Sequence, residues 1–391
     1  MFSRRSNFDL AESDFAVALH EARRDGELFD LTTSNPTAVG LAPESLSTHF
    51  DATTYHPDPL GMPSARQAVA DYYCGHGRQI PIGNITLTAS TSESYSFLFR
   101  LLCDPGDELL IPTPSYPLFD FLATLDHVDL KPYPLLYDHG WQIDLHALEA
   151  SITPRTRAIL LVHPNNPTGH FISSQEREAL YRLATQHSLA LIVDEVFLDY
   201  PLSGTSETFA IPDSPALTFT LSGLSKVCAL PQMKVAWIST TGPKDVLNEA
   251  QQRLEVIADT FLSVATPPQL ALPTWLEHRH VTQQAIRQRT DQNLARLDVL
   301  LQGTHITHIT RLKLDAGWTA ILRVSAFEPD AELATRLIQN HRVAIHPGSF
   351  YGLPPQGYLV VSLLPYPEIF EQGVNQLLNG INPINSPSSV G

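Results

Sequence analysis

The sequence predicts an α/β protein: a mostly parallel sheet covered by helices, joined to a smaller α+β unit. Three observations predict it. Between about residues 84 and 240, short apolar runs alternate with helix-period segments, the pattern of parallel strands linked by crossover helices. From 243 to about 304 the pattern is helical and long, and after 310 it changes to strand, helix, strand, helix. The chain has 391 residues, too many for one ordinary core. The expected division is an N-terminal arm over 1–45 that joins the small unit, a large ligand-binding part over 46–275, and an interdomain helix with a small C-terminal part over 276–391.

Residues 8–25 have helical periodicity and stop at Gly26. Ile85–Thr88 reads as a strand. Glu93–Leu102 reads as a helix, closed by Asp104-Pro105-Gly106-Asp107. Glu108–Ile111, Ala158–Val162, Leu189–Val193 and Ala216–Leu221 read as strands, and Ser174–Ser188 as a helix. Pro267-Pro268 and Pro273 are expected to break the long helical stretch. Gly317–Val324 and Leu359–Leu363 are the strands of the smaller unit, with helices over Asp330–Arg342 and Pro367–Leu378. The Ser/Pro/Asn-rich tail from Asn382 is expected to fray.

Apolar residues make up 43% of the chain and charged residues 17%, an ordinary soluble composition. A formal net charge of −16 argues against nucleic acid or an anionic membrane as partner. Cys74, Cys103 and Cys228 are isolated from one another, which fits a reducing cytoplasm better than a disulfide framework. No secretory leader or membrane span is read. His278/His280 and His305/His308 have no carboxylate or cysteine company, so no metal site is expected.

Three strand ends carry chemistry. Asp194 ends the run Leu189–Val193. Lys226 follows Ala216–Leu221 in Ser222-Gly223-Leu224-Ser225-Lys226. The turn Asn165-Asn166-Pro167-Thr168-Gly169 follows Ala158–Val162. Ligands of open α/β sheets sit at such ends. An amine, a carboxylate and an amide there suit pyridoxal 5′-phosphate: lysine for a Schiff base, aspartate for the pyridine nitrogen, asparagine for the ring hydroxyl. Each piece also has a plain reading, as a surface lysine, a helix cap and a turn. Ser90-Thr91-Ser92-Glu93 joins a strand to a helix and reads as an anion site as well as a capped helix start. Tyr116, after another strand, offers a face for a flat ring.

With these residues the chain resembles the class I/II aminotransferases, pyridoxal-phosphate enzymes of fold type I. The resemblance spans nearly the whole length. It includes Tyr55-His56-Pro57 with Gly61 and Arg66, Thr88–Glu93, Asp104–Asp107, Asn165–Gly169, Asp194 and Lys226. It implies that Lys226 is the catalytic lysine and proton carrier. Asp194 would pair with the pyridinium, Asn166 would meet O3′, and Tyr116 would stack on the ring. Ser90, Thr91, Ser92 and Ser225 would bind phosphate. Tyr55 would reach the phosphate of a neighbouring subunit, which implies a homodimer with shared sites.

The sequence departs from that family's pattern at four places. Lys234 stands where a phosphate-forking arginine is usual and loses the bidentate geometry. Phe197 replaces a tyrosine, and Ser90 replaces a glycine. Val360 holds the place of the arginine that clamps a substrate carboxylate, and no arginine follows Arg342. Arg323 is the expected substitute. The activity so implied is transfer of an amino group from an amino acid to a 2-oxo acid in two half-reactions. The alternatives are β-elimination or decarboxylation with the same cofactor, or a pyridoxal-phosphate-binding protein without turnover.

Overall fold

The apolar runs form the centre of an eight-stranded sheet in the computed structural model, which describes residues 4–6, 11–41, 57–204, 207–303, 309–325 and 328–381. The chain opens with α1 (Asp14–Asp25), β1 (Phe29–Asp30) and α2 (Pro63–Gly75). It continues through β2 (Ile85–Thr88), α3 (Thr91–Leu102), β3 (Glu108–Thr113), α4 (Phe119–Asp126), β4 (Asp129–Tyr137) and β5 (Trp141–Ile143). Then come α5 (Leu145–Ala150), β6 (Thr156–Val162), α6 (Ser174–Gln186), β7 (Ala190–Asp194), β8 (Thr218–Gly223), α7 (Leu224–Val227) and β9 (Ala236–Thr241). The rest comprises α8 (Lys244–Phe261), α9 (Thr266–Gly303), β10 (Ile309–Arg311), β11 (Thr319–Val324), α10 (Asp330–His341), β12 (Val343–Ala344), β13 (His346–Pro347), β14 (Tyr358–Ser362) and α11 (Pro367–Ile381).

The large sheet runs β2-β9-β8-β7-β6-β3-β4-β5. Its middle, from β8 to β4, is parallel. Antiparallel pairings bring in β9, β2 and β5. Successive side chains face opposite sides. Leu160 and Val162 therefore join a core under α3, α4 and α8, while Ile159 and Leu161 join one under α5 and α6. Burial on both faces is why these strands read as unbroken apolar runs.

A second sheet, β10-β11-β14-β13, is antiparallel. Leu322, Leu359 and Val361 pack there with Leu337, Phe370 and Val374 of α10 and α11. The N-terminal segment belongs with this unit, because β1 pairs in parallel with β12, Phe29 opposite Val343.

Two sequence expectations change. Helix α9 runs through Pro273 without breaking, and the chain interrupts the helical stretch earlier, after Phe261. Pro267 and Pro268 lie in the first turn of α9, where a missing N–H costs nothing. Packing of α2 against α9 supports the helix on one side of Pro273. The first helix begins at Asp14, capped by Ser13. No helix among the described residues is long and apolar enough to cross a membrane. None of them gathers three metal-binding side chains, and His305 and His308 lie outside the described residues.

Candidate active site

The parallel registers bring three chain ends together. Val162, Asp194 and Leu221 stand side by side at the ends of β6, β7 and β8. Just past Gly223 the chain turns into α7, which carries Lys226. Gly223 permits this close turn, since a Cβ there would lie 2.9 Å from that of Ala236. A cavity of about 510 Å³ opens above these ends, and Lys226, Asp194 and Asn166 line it.

The Lys226 ammonium lies 4.8 Å from the Trp318 ring centre and 5.4 Å from that of Phe197. Among the described residues its amine makes a long hydrogen bond, 3.5 Å to the carbonyl of Ser34. Burial pulls the amine down to about 8, against the opposing pull of Asp194. The aromatic box thus raises the share of neutral, nucleophilic amine.

Asp194 is 8% exposed. The Tyr95 hydroxyl donates to its Oδ2 at 2.6 Å, and the Val196 amide donates to its Oδ1 at 3.0 Å. Burial pushes the carboxyl above its usual range, and Tyr95, Val196 and Lys226 pull the other way. A carboxylate has about four acceptor sites, so two remain for a cation in the cavity. Tyr95 is a site residue that sequence reading missed, since it lies on α3, 99 residues before Asp194. A buried donor to an ionised acceptor is worth about 1.5–3 kcal/mol. Tyr95→Phe is therefore expected to raise the Asp194 pKa and to weaken pyridoxal-phosphate binding about tenfold. Titration of the apoprotein by absorbance checks this, and an unchanged Kd removes Tyr95 from the site.

The anion end follows from the sheet. The β2–β9 register pairs Thr88 with Ala236, and the β8–β9 register pairs Gly223 with Ala236. Just past these pairs, Ser90, Lys234 and Ser225 all line the cavity with Thr91 and Ser92. Ser90 caps α3 by accepting from the Glu93 amide at 3.2 Å. Glu93 reaches back to the Ala89 amide at 2.6 Å, one residue before the usual partner of a capping box. The first amides of α3 lack partners within the helix and favour an anion.

The turn after β6 is held by its own residues. The Thr168 hydroxyl donates to Asn165 Oδ1 at 2.9 Å, and the Gly169 amide to the Asn165 carbonyl at 2.7 Å. Gly169 has φ +66°, and a Cβ there would lie 2.4 Å from the Ala316 carbonyl. The Thr319 hydroxyl donates to Asn166 Oδ1 at 3.4 Å, which ties the small sheet to the site. Asp107, of the Asp104–Asp107 segment, takes a bidentate ion pair from Arg157 at 2.8 and 2.9 Å.

Tyr116 stands at the cavity's edge, 46% exposed. Tyr55 lies outside the described residues. Beside Val360, the small unit adds residues to the wall that no local motif announced: Trp318, Thr319, His346, Phe350 and Tyr351.

Arg323 corrects an expectation. It is exposed and does not line the cavity. It shares a strand face with Thr319, but four residues along β11 is roughly 13 Å. Between them Ile321 clusters with Val360 and Leu353. Arg323→Ala is therefore expected to leave kcat/KM within about twofold of wild type, as for surface substitutions. Steady-state kinetics check this.

The cavity fits pyridoxal phosphate by its donor set. It has an amine of lowered basicity, a buried carboxylate with acceptor capacity to spare, and a helix start with hydroxyls and a lysine. Comparisons with known proteins agree. The chain is 26% identical over 320 residues to nicotianamine aminotransferase 1 of Oryza sativa subsp. japonica, spanning 76% of this chain and 62% of that protein. It is 31% identical over 270 residues to the glutamate-pyruvate aminotransferase AlaA of Escherichia coli strain K12, spanning 66% of each. In both cases the match covers a little under two thirds of the relative's own length. A solved alanine aminotransferase from Pyrococcus furiosus shares the fold, with a TM-score of 0.86 at 22% identity over 97% of this chain and 99% of that one. Residues 30–366, which take in every described wall of the cavity, match the family model of aminotransferase class I and II, and the chain belongs to that pyridoxal-phosphate-dependent family.

Proposed function

We propose that this protein transfers an amino group from an amino donor to a carbonyl acceptor in two half-reactions at the one cavity. Amino acids and 2-oxo acids are the substrate class the family brings. The observation that carries the reading is the amine of Lys226, lowered to about 8, set beside buried Asp194 in a cavity headed by the start of α3.

Pyridoxal phosphate, bound there, supplies an aldehyde carbon that condenses with amines and a ring that withdraws their electrons. The chain does the rest. Ser90, Thr91, Ser92 and Ser225 hold the phosphate with the α3 amides, and Lys234 adds positive charge. Asp194 keeps the ring nitrogen protonated, with Tyr95 holding the carboxylate in place. Asn166 would meet the ring hydroxyl, and Tyr116 would offer its face to the ring. Lys226 would hold the cofactor through its amine and, once free, would carry the proton from the substrate carbon that bears nitrogen. Trp318 and Phe197 keep water away from that amine.

The same reading carries the division into an arm over 1–45, a large part over 46–275 and a small part over 276–391. It also carries a cytoplasmic homodimer in which Tyr55 serves the neighbour's phosphate. A single half-reaction tests the activity. The holoprotein with donor alone should yield one equivalent of carbonyl product and no ammonia, and a 2-oxo acid should restore the starting spectrum. Ammonia release without an acceptor would instead establish elimination.

A further inference from the structure

The charges of the cavity are unevenly placed. Among the described residues, the lysines and arginines that line it are Lys226 and Lys234. Lys234 lines the cavity with Ser90 and Ser225, just past the paired ends of β2, β8 and β9. Lys226 is committed to the covalent chemistry. The opposite half is built by the small unit and is apolar. Val360 is 0% exposed and Trp318 is 2% exposed, with Phe350 and Tyr351 beside them.

Several polar groups of that half are engaged by neighbours, whereas the buried Trp318 indole N–H has no partner among the described residues. The Thr319 hydroxyl donates to the Pro167 carbonyl and to Asn166 Oδ1, both at 3.4 Å. Ser362 donates to the Thr33 carbonyl. His346 Nδ1 and the Tyr351 hydroxyl share a bond at 3.1 Å, and burial pulls the imidazole below its ordinary range against the opposing pull of Asp30. Behind this wall Arg289 is tied to the Leu364 carbonyl and stacked on Tyr366. Among the described residues of this chain, a carboxylate lodged here meets no lysine or arginine beyond Lys226 and Lys234. An unpaired buried charge costs several kcal/mol, whereas an apolar body gains from leaving water.

We propose that one of the two substrates of this enzyme is a neutral-bodied amine, aromatic or branched aliphatic, with no carboxylate beside the carbon that bears its nitrogen. This rests on the amino-transfer reading and narrows its substrate class on one side. The counterpart is a 2-oxo acid, bound more weakly. In the first half the donor's C–N and adjacent C–H bonds break. Its carbon, oxidised by two electrons that pass with the nitrogen to the bound pyridoxal phosphate, takes oxygen from water and leaves as an aldehyde or ketone. In the second half the 2-oxo acid carbon, reduced by two electrons, gains nitrogen and a proton and releases its oxygen as water.

Matched pairs test this on the wild-type holoprotein: 2-phenylethylamine against L-phenylalanine, and 3-methylbutylamine against L-leucine. Single-turnover absorbance gives the rate, product analysis the carbonyl, and calorimetry the Kd. The amine of each pair is expected to react at least tenfold faster per unit concentration and to bind at least tenfold more tightly. Equal or reversed preference overturns the proposal. Calorimetry with L-phenylalaninol against L-phenylalanine decides the matter without turnover. Tighter binding of the neutral alcohol supports the proposal, and tighter binding of the carboxylate overturns it. Tight neutral binding with no carbonyl product from any pair would count against amino transfer and leave the cavity's selectivity standing.

Discussion

Lys226→Ala is expected to abolish turnover, by at least ~10⁴-fold, since general acid–base work alone supplies about 10²–10⁴ and covalent capture is lost with it. The other lysine at the cavity, Lys234, stands at the anion end. Borohydride treatment of the wild-type holoprotein should fix the cofactor's mass on the peptide that carries Lys226, and the variant should show no labelled peptide. A label on Lys234 would refute the assignment. The pH dependence has a definite sign. The neutral amine is the nucleophile, and burial draws Lys226 down to about 8. Roughly one tenth of the amine is therefore neutral at pH 7. Capture of pyridoxal phosphate by the apoprotein should accelerate as pH rises through about 8 and level off above it. A rate still climbing near pH 10 would mean the aromatic box does not perturb the amine.

Asp194→Asn is expected to lower kcat by roughly 10²–10⁴. Removing one member of a buried ion pair costs about 3–5 kcal/mol, at 1.36 kcal/mol per tenfold in rate. The apoprotein should respond in the opposite direction. Burial raises the folded-state pKa of this carboxyl, so its ionised form costs stability at pH values above the unfolded pKa. The neutral amide removes that cost while keeping the shape, and the apoprotein Tm should stay level or rise. Calorimetry of the apoprotein beside kinetics of the holoprotein separates the two effects. A Tm drop with kcat unchanged would mean that Asp194 is structural.

Legibility in the sequence followed the range of the interactions. Strands β6, β7 and β8 were plain because both faces are buried, which leaves unbroken apolar runs between turn residues. Strand β9, Ala236–Thr241, went unread: its hydroxyl-rich end, Ser239-Thr240-Thr241, lacks that signal although every residue is buried. Lys226, Asp194 and Asn166 were legible because each follows a strand end within a few residues. Tyr95 and Trp318 were not, because only the folded chain brings them to Asp194 and Lys226. Arg323 was misjudged for a related reason. Proximity in sequence to Trp318 says nothing of Ile321 and Val360 packed between.

The pairing of β1 with β12 sets when the cavity can exist. Thr32 and Ser34, just past β1, line it together with Val360 and Ser362 near the other end of the chain. A nascent chain still lacking its last strand has no complete cavity, however well its large sheet has formed. Cofactor loading therefore requires β14 as well as the large sheet. Ligand at a hundred times its Kd adds about 2.7 kcal/mol to folding, and here that gain is shared by both ends of the polypeptide. Trimming the chain before Ser362 should forfeit it entirely.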